Sequence, residues 1–117
     1  MQNRRQVGST YEEAAAKYLE RSGYRILERN FRCRFGEIDL IGREGNTLVF
    51  VEVKYRKNSA FGVPSEAVTL AKQRTICKVA SYYRFIKGIA DSQPCRFDVV
   101  AIQGNRIEVI KNAFEYR

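Results

Sequence analysis

Gly36-Glu37-Ile38-Asp39-Leu40-Ile41-Gly42 and Leu48-Val49-Phe50-Val51-Glu52-Val53-Lys54-Tyr55 are two apolar runs separated by Arg43 to Thr47. Residues of this kind favour strands. Glu44-Gly45-Asn46 between them tolerates positive φ, so the segment reads as an antiparallel hairpin. Side chains alternate between faces along a strand, which points Glu52 and Lys54 the same way. A charged pair on a sheet face is costly unless it pairs, reaches water or binds an ion. Asp39 on the first strand is likewise acidic among apolar neighbours. If the hairpin pairs the strands, Asp39 and Glu52 converge within reach of one divalent cation. Two carboxylates, a carbonyl and waters are the hard oxygen ligands that Mg²⁺ accepts. The alternative is a salt-bridged trio of Asp39, Glu52 and Lys54 on a solvated face.

The chemistry explains why a lysine belongs beside the acids. Phosphodiester hydrolysis needs a deprotonated water, neutralised phosphate oxygens and a stabilised leaving oxygen. A metal held by carboxylates lowers the pKa of water and polarises the phosphate. Lys54, two residues along the strand, can orient that water or offset developing charge. No histidine is required, and the chain has none.

That absence excludes several classes at once. Ser-His-Asp and Cys-His nucleophile pairs, a histidine general base and His-containing zinc sites are all ruled out. The three cysteines, Cys33, Cys77 and Cys95, form no CxxC pair. They read as small hydrophobes in a reducing compartment. The 117 residues suffice for one domain with its own core, and 44% hydrophobic with 29% charged residues is a globular balance. Lys and Arg total 21 against 13 acids, a net charge of +8 that favours a polyanionic partner over none. No stretch approaches the roughly 18 apolar residues of a membrane helix. The polar, basic residues from Met1 to Tyr11 lack a signal-peptide core. A cytoplasmic protein without a membrane partner is the expectation.

Outward from the hairpin, the pattern alternates cleanly. Residues 1–8 read as a flexible tail. Ser9 or Thr10 then caps a helix, with Thr10 and Glu13 as a capping box and Ser9 with Glu12 as the other register. Tyr11, Ala14, Ala15, Tyr18 and Leu19 form its apolar stripe, and Gly23 ends it. Tyr24 to Phe35 reads as a first strand with irregular ends. After the hairpin, residues 57–63 form a loop and Pro64-Ser65 opens a second helix. Ile76, Val79, Ala80, Tyr83 and Ile86 form the stripe of that helix, and Gly88 closes it. Arg96 to Ile102 and Arg106 to Ile110 make a last hairpin about Gly104-Asn105. The order αβββαββ describes an α/β layered domain around a mostly antiparallel or mixed sheet.

Arg21, Arg25, Arg29, Arg32 and Arg34 crowd together, and Lys54, Arg56 and Lys57 lie on or just past the second hairpin strand. Tyr24, Phe31, Phe35 and Tyr55 interleave with them, a composition suited to phosphate contacts with some base stacking. A solvated basic face is the plainer alternative. Glu37 shares Asp39's strand face and either supports the acids or is an exposed strand-entry residue. Lys72 and Gln73 open the amphipathic run of the second helix, Gln73 on the stripe of Ile76 and Ala80.

GEIDLI, FVEVK, Phe61-Gly62-Val63-Pro64 with Glu66-Ala67-Val68, and Lys72-Gln73 together resemble the YraN family of small bacterial proteins. The resemblance runs from about Glu12 to Ile110. More distantly the chain is similar to archaeal Holliday junction resolvases and the PD-(D/E)xK nuclease superfamily. The resemblance implies a restriction-endonuclease-like three-layer domain, with helices flanking a central mixed sheet. It implies that Asp39 and Glu52 bind Mg²⁺ or Mn²⁺, with Glu12 as an additional ligand, and that Lys54 is the catalytic lysine. It also sets a polar helix residue, here Gln73, near the catalytic group. Two positions depart from the pattern: Ile38 replaces the superfamily proline, and Tyr11 replaces the glycine common before the helix glutamate. The second departure leaves Glu13 as an alternative to Glu12, and a simple first-turn acid as the alternative to both.

These readings combine into a metal-dependent endonuclease acting on nucleic-acid phosphodiesters, DNA ahead of RNA, with branched DNA suggested by the resolvase similarity. Arg25, Arg29, Arg32, Arg34, Arg56, Lys57 and Lys72 are the phosphate-binding candidates. The two-fold resolvases it resembles suggest a homodimer. A nucleic-acid-binding protein that keeps the fold without cutting is the second reading. A basic scaffold is the third, and it leaves the Asp-Glu-Lys face unexplained.

Overall fold

The computed structural model describes residues 4–56 and 68–117, with only the backbone for 4–9. Its elements run α1 (Arg4–Arg21), β1 (Arg25–Cys33), β2 (Gly36–Glu44), β3 (Thr47–Arg56), α2 (Leu70–Ile86), β4 (Cys95–Gln103) and β5 (Arg106–Phe114). The five strands lie in sequence order in one sheet, antiparallel except for parallel β3 and β4. A parallel pair needs a crossover connection, and α2 is that connection.

The two helices cover opposite faces. Leu48 and Phe50 of β3 pack with Ile76, Val79, Ala80 and Tyr83 of α2. Val49 and Val51 of the same strand pack with Ala15, Ala16 and Leu19 of α1. Burial on both faces is why β2, β3 and β4 read as continuous apolar runs, whereas edge strands β1 and β5 are half exposed. The arginines of β1 also protect its open edge against pairing with another chain.

Several local expectations change. Helix α1 begins at Arg4, so residues expected as a tail are helical and Ser9 and Thr10 sit inside the helix. Arg and Gln are good helix formers, and a cap preference at Ser or Thr does not oblige a helix to start there. The buried stripe of α1 uses Ala16 where Tyr18 was expected; Tyr18 is exposed. Thr69 caps α2 by accepting from the Lys72 amide; the Pro64-Ser65 expectation lies outside the described residues. Both hairpin turns stand as read, with Gly45 and Gly104 at positive φ. Among the described residues no helix is long and apolar enough to cross a membrane.

One feature was not foreseen. Asp98 is fully buried in β4, yet every side of its carboxylate is matched. Arg96 donates through Nε and Nη2 at 2.8 and 2.9 Å, the Tyr24 hydroxyl donates at 2.7 Å and the Asn112 amide at 3.0 Å. Arg96 also binds Glu44, which Lys111 holds from its other oxygen. A buried acid satisfied in this way is a structural fastening.

Candidate active site

The ladder between β2 and β3 ends at Leu40–Val51, although both strands continue. The β1–β2 ladder carries on to Gly36, and the β3–β4 ladder to Arg56. The two central strands therefore part company just before Asp39 and Glu52, forming a fork. The backbone of β2 is out of regular alternation there. Ile38 packs toward α2 and Leu40 toward α1, though residues two apart ordinarily share a face. Flanking pairs Arg29–Leu40 and Phe31–Ile38 set Asn30 opposite Asp39, and Asn30 has a φ of 52°. Asparagine is among the few residues that accept that conformation readily.

Asp39 uses one oxygen to accept the Val53 amide at 2.7 Å, a side chain standing in for the missing ladder bond. Glu12 on α1 comes close to the same carboxyl and to the Asn30 side chain. Two carboxyl groups brought together in this way favour a proton or a cation between them. Glu52 lies on the other side of the fork, with the Lys54 ammonium 3.8 Å from its Oε1. Asp39 and Glu52 are both buried. Lys72, at the start of α2, is close enough to stabilise the charge on both.

Burial dominates the electrostatics. It raises Asp39 above the usual carboxylate range. Burial and then the Asp39 charge push Glu52 up to about 7, and the same two causes in the same order raise Glu12. The contrast with Asp98 is decisive for which acid is chemical. Asp98 holds a guanidinium, whereas Asp39 holds one amide and another acid.

A stability prediction follows from Glu52. Its folded pKa lies above the unfolded value, so the native state takes up a proton first as pH falls. Metal-free protein should therefore gain stability from pH 8 down to about 5, on the order of 3 kcal/mol from this group. No imidazole obscures that window. Glu52→Gln should melt higher than wild type at pH 8 in EDTA and lose most of the pH dependence. Equal melting of the two proteins at pH 8 would refute the assignment.

Among the described residues no three His, Cys, Asp or Glu side chains converge on one point. A cation at the fork would find Asp39 and Glu52 as its buried acids, with Glu12 beside Asp39 and the rest supplied by backbone oxygen and water. The donor set fits a hard divalent ion: two buried carboxylates, with Glu12 as a further acid beside Asp39. A strand residue's N–H and C=O point to the same edge. Val53, whose amide faces Asp39, therefore turns its carbonyl into the fork as well.

The other candidates divide. Glu13, the alternative to Glu12, pairs with Arg29 on the surface. Glu37 pairs with Arg32 at 2.7 Å. Gln73 is buried but donates to the Val68 carbonyl and accepts from Arg117, so its amide is committed to tying down α2 and the C-terminal residues. Arg25, Arg34 and Arg56 are exposed, and Lys72 is half buried. Lys57, Phe61, Gly62, Val63, Pro64, Glu66 and Ala67 lie outside the described residues. The interleaved aromatics mostly serve the core instead of a ligand. Tyr24 binds Asp98, Phe31 packs edge-on against Tyr83, and Tyr55 stacks on Tyr11 at 3.9 Å. Phe35 alone of the four is exposed. Asp98 and the exposed Phe85 of α2 were missed. The only sequence signal for Phe85 was an aromatic off the apolar stripe of its helix.

Residues 11–102, which carry every element of the fork, match the family described as Uncharacterised protein family UPF0102. A UPF0102 protein of Lachnoclostridium phytofermentans is 52% identical over 113 residues, 97% of this chain and 96% of its own. Those of Syntrophus aciditrophicus and Geobacter sulfurreducens are each 53% identical, covering 93% of this chain and 88% of their own. With a match of that extent and relatives aligned almost end to end, the chain belongs to the UPF0102, or YraN, family.

Proposed function

We propose that the protein is a metal-dependent nuclease of the restriction-endonuclease-like, PD-(D/E)xK kind, cutting nucleic-acid phosphodiesters and DNA in preference to RNA. The observation that carries this reading is the fork itself. Two buried carboxylates, Asp39 and Glu52, stand just past the last β2–β3 pair with Glu12 and Glu37 nearby, so that four acids face two ammoniums, Lys54 and Lys72. A fold keeps such a cluster at a cost in stability, and a bound cation offsets it. Mg²⁺ or Mn²⁺ held there would activate water and neutralise phosphate oxygens. Asp39 and Glu52 hold the charge in place, and the Val53 amide locks the Asp39 rotamer. Lys54, half buried at the mouth, presents an ammonium to the attacking water or the phosphate. Lys72 faces the same acids from α2 and suits a phosphate contact. The net charge of +8 draws the polyanion in.

A nucleic-acid-binding protein that does not cut is the second reading, favoured by the lack of a three-ligand cluster among the described residues. A cleavage panel of linear, nicked, flap and four-way DNA, with matching RNA, separates the two. The nuclease reading expects Mn²⁺-dependent cutting of at least one DNA substrate, lost in EDTA. Calorimetry runs beside it. Binding of all substrates without cutting, and without heat from Mn²⁺, assigns the protein to the second reading.

A further inference from the structure

Phe85 is 84% exposed, far more than the other large apolar side chains of the described residues. It stands on the outer face of α2 beside a groove of about 350 Å³ between that helix and the β1–β2 turn. Phe35, 40% exposed, forms the turn side of the groove. Its ring meets Tyr82 edge-to-face at 6.0 Å, and the Arg34 guanidinium lies 4.8 Å over it. Lys78, Ser81, Cys77 and Arg117 complete the lining, in which no Asp or Glu side chain takes part. Flat aromatic surface interleaved with cations is left open to solvent, where an apolar patch ordinarily marks a binding site.

The groove is joined to the fork by two rigid connections. Phe35 precedes Gly36, the first residue of the strand that carries Asp39. A Cβ on Gly36 would come within 2.8 Å of Thr75 Cγ2, so turn and helix are in direct contact there. Lys72, which faces the acids, stands on the same helix as Lys78, Tyr82 and Phe85. A second copy of the chain is a poor occupant, since it would bring like charge against like. A continuous duplex is also poor, because its base faces are already stacked inside. Unpaired nucleotides offer both a negative backbone and free π-faces, the pairing that single-strand platforms use.

We propose that this groove receives the unpaired part of a nucleic-acid substrate whose scissile phosphate lies at the Asp39–Glu52 fork. The substrate class is then a strand with a single-stranded region, not continuous duplex. The inference rests on the nuclease reading for its second half, so the test is made by binding alone, in EDTA, where nothing is cut.

The chain has seven tyrosines but no tryptophan, so Phe85→Trp installs a single indole on the platform, excited selectively at the red edge beyond tyrosine absorption. Its emission should be quenched by oligothymidine and not by a hairpin duplex of equal length. Phe85→Ala should weaken oligothymidine binding about tenfold, the loss of roughly one stacked base, with duplex affinity changed less than twofold. Phe85→Trp should restore the affinity. Equal losses on both nucleic acids, or no loss on either, would overturn the proposal. So would quenching by an acidic peptide ending in phenylalanine but not by oligothymidine, which would assign the groove to a protein partner. Failure of the cleavage panel with success here would remove the nuclease reading and leave the platform standing.

Discussion

Asp39→Asn should abolish metal-dependent cleavage while leaving the protein folded and, without metal, no less stable than wild type. The amide oxygen still accepts the Val53 N–H, and the substitution removes a charge that burial and Glu37 both oppose. The gain from metal should vanish with it. Wild type at a hundredfold excess of Mn²⁺ over Kd should be stabilised by about 2.7 kcal/mol, seen as a rise in melting temperature absent from the variant. Asp98→Asn supplies the opposite sign. It leaves Arg96 with Glu44 as its remaining carboxylate and takes the charge from the fully buried group that Arg96, Tyr24 and Asn112 all bind, and it should cost about 3 kcal/mol with or without metal. Normal cleavage by Asp39→Asn, or a melting temperature equally raised by Mn²⁺ in both proteins, would remove the fork as the catalytic centre.

Lys54→Ala should separate chemistry from binding. If the ammonium acts on water or on transition-state charge, its loss falls on the chemical step. Single-turnover cleavage should slow by roughly a hundredfold or more, about 2.7 kcal/mol of barrier. Affinity should change far less, since one phosphate contact among many is a small share of the total. Lys54→Arg should not rescue the rate fully, because a planar guanidinium does not replace a compact ammonium. A filter-binding titration beside a single-turnover time course in Mn²⁺ decides it. Rate and affinity falling by one common factor would make Lys54 a binding residue only.

The hairpin was legible because both of its signals are local: apolar runs on each side, and Gly45-Asn46 between them. The helix between β3 and β4 was legible for the same reason, through the stripe Ile76, Val79, Ala80 and Tyr83. The parallel pairing of the strands it joins was not, because it depends on contacts remote in sequence. The start of α1 was not. Ser9 and Thr10 are good caps, and nothing in the chain says whether a cap residue is used when helix formers precede it. Asp39 and Glu52 could be brought together on paper, because an acid in an apolar strand is conspicuous. Asp98 has the same appearance in Arg96-Phe97-Asp98-Val99-Val100, and its partners Tyr24 and Asn112 come from remote segments. The arginines of β1 were visible as a cluster, but their pairing with Glu13 and Glu37 depends on packing between elements. Two of the expected phosphate contacts, Arg29 and Arg32, are thus already engaged. Phe85 lies off the apolar stripe of α2, so its exposure could be read from the helical period, but the Phe35 and Arg34 beside it come from another element.

Helix α2 also sets a length. Lys72 near its start faces the acids, and Phe85 near its end carries the aromatic platform. Thirteen helical steps make about 20 Å, equal to roughly six nucleotides at the spacing of a stacked strand. A single strand engaged at both ends of that helix is measured by it. The cut would then fall a fixed number of residues from the anchored base, independent of sequence, and oligonucleotides shorter than the helix would touch one end or the other but not both.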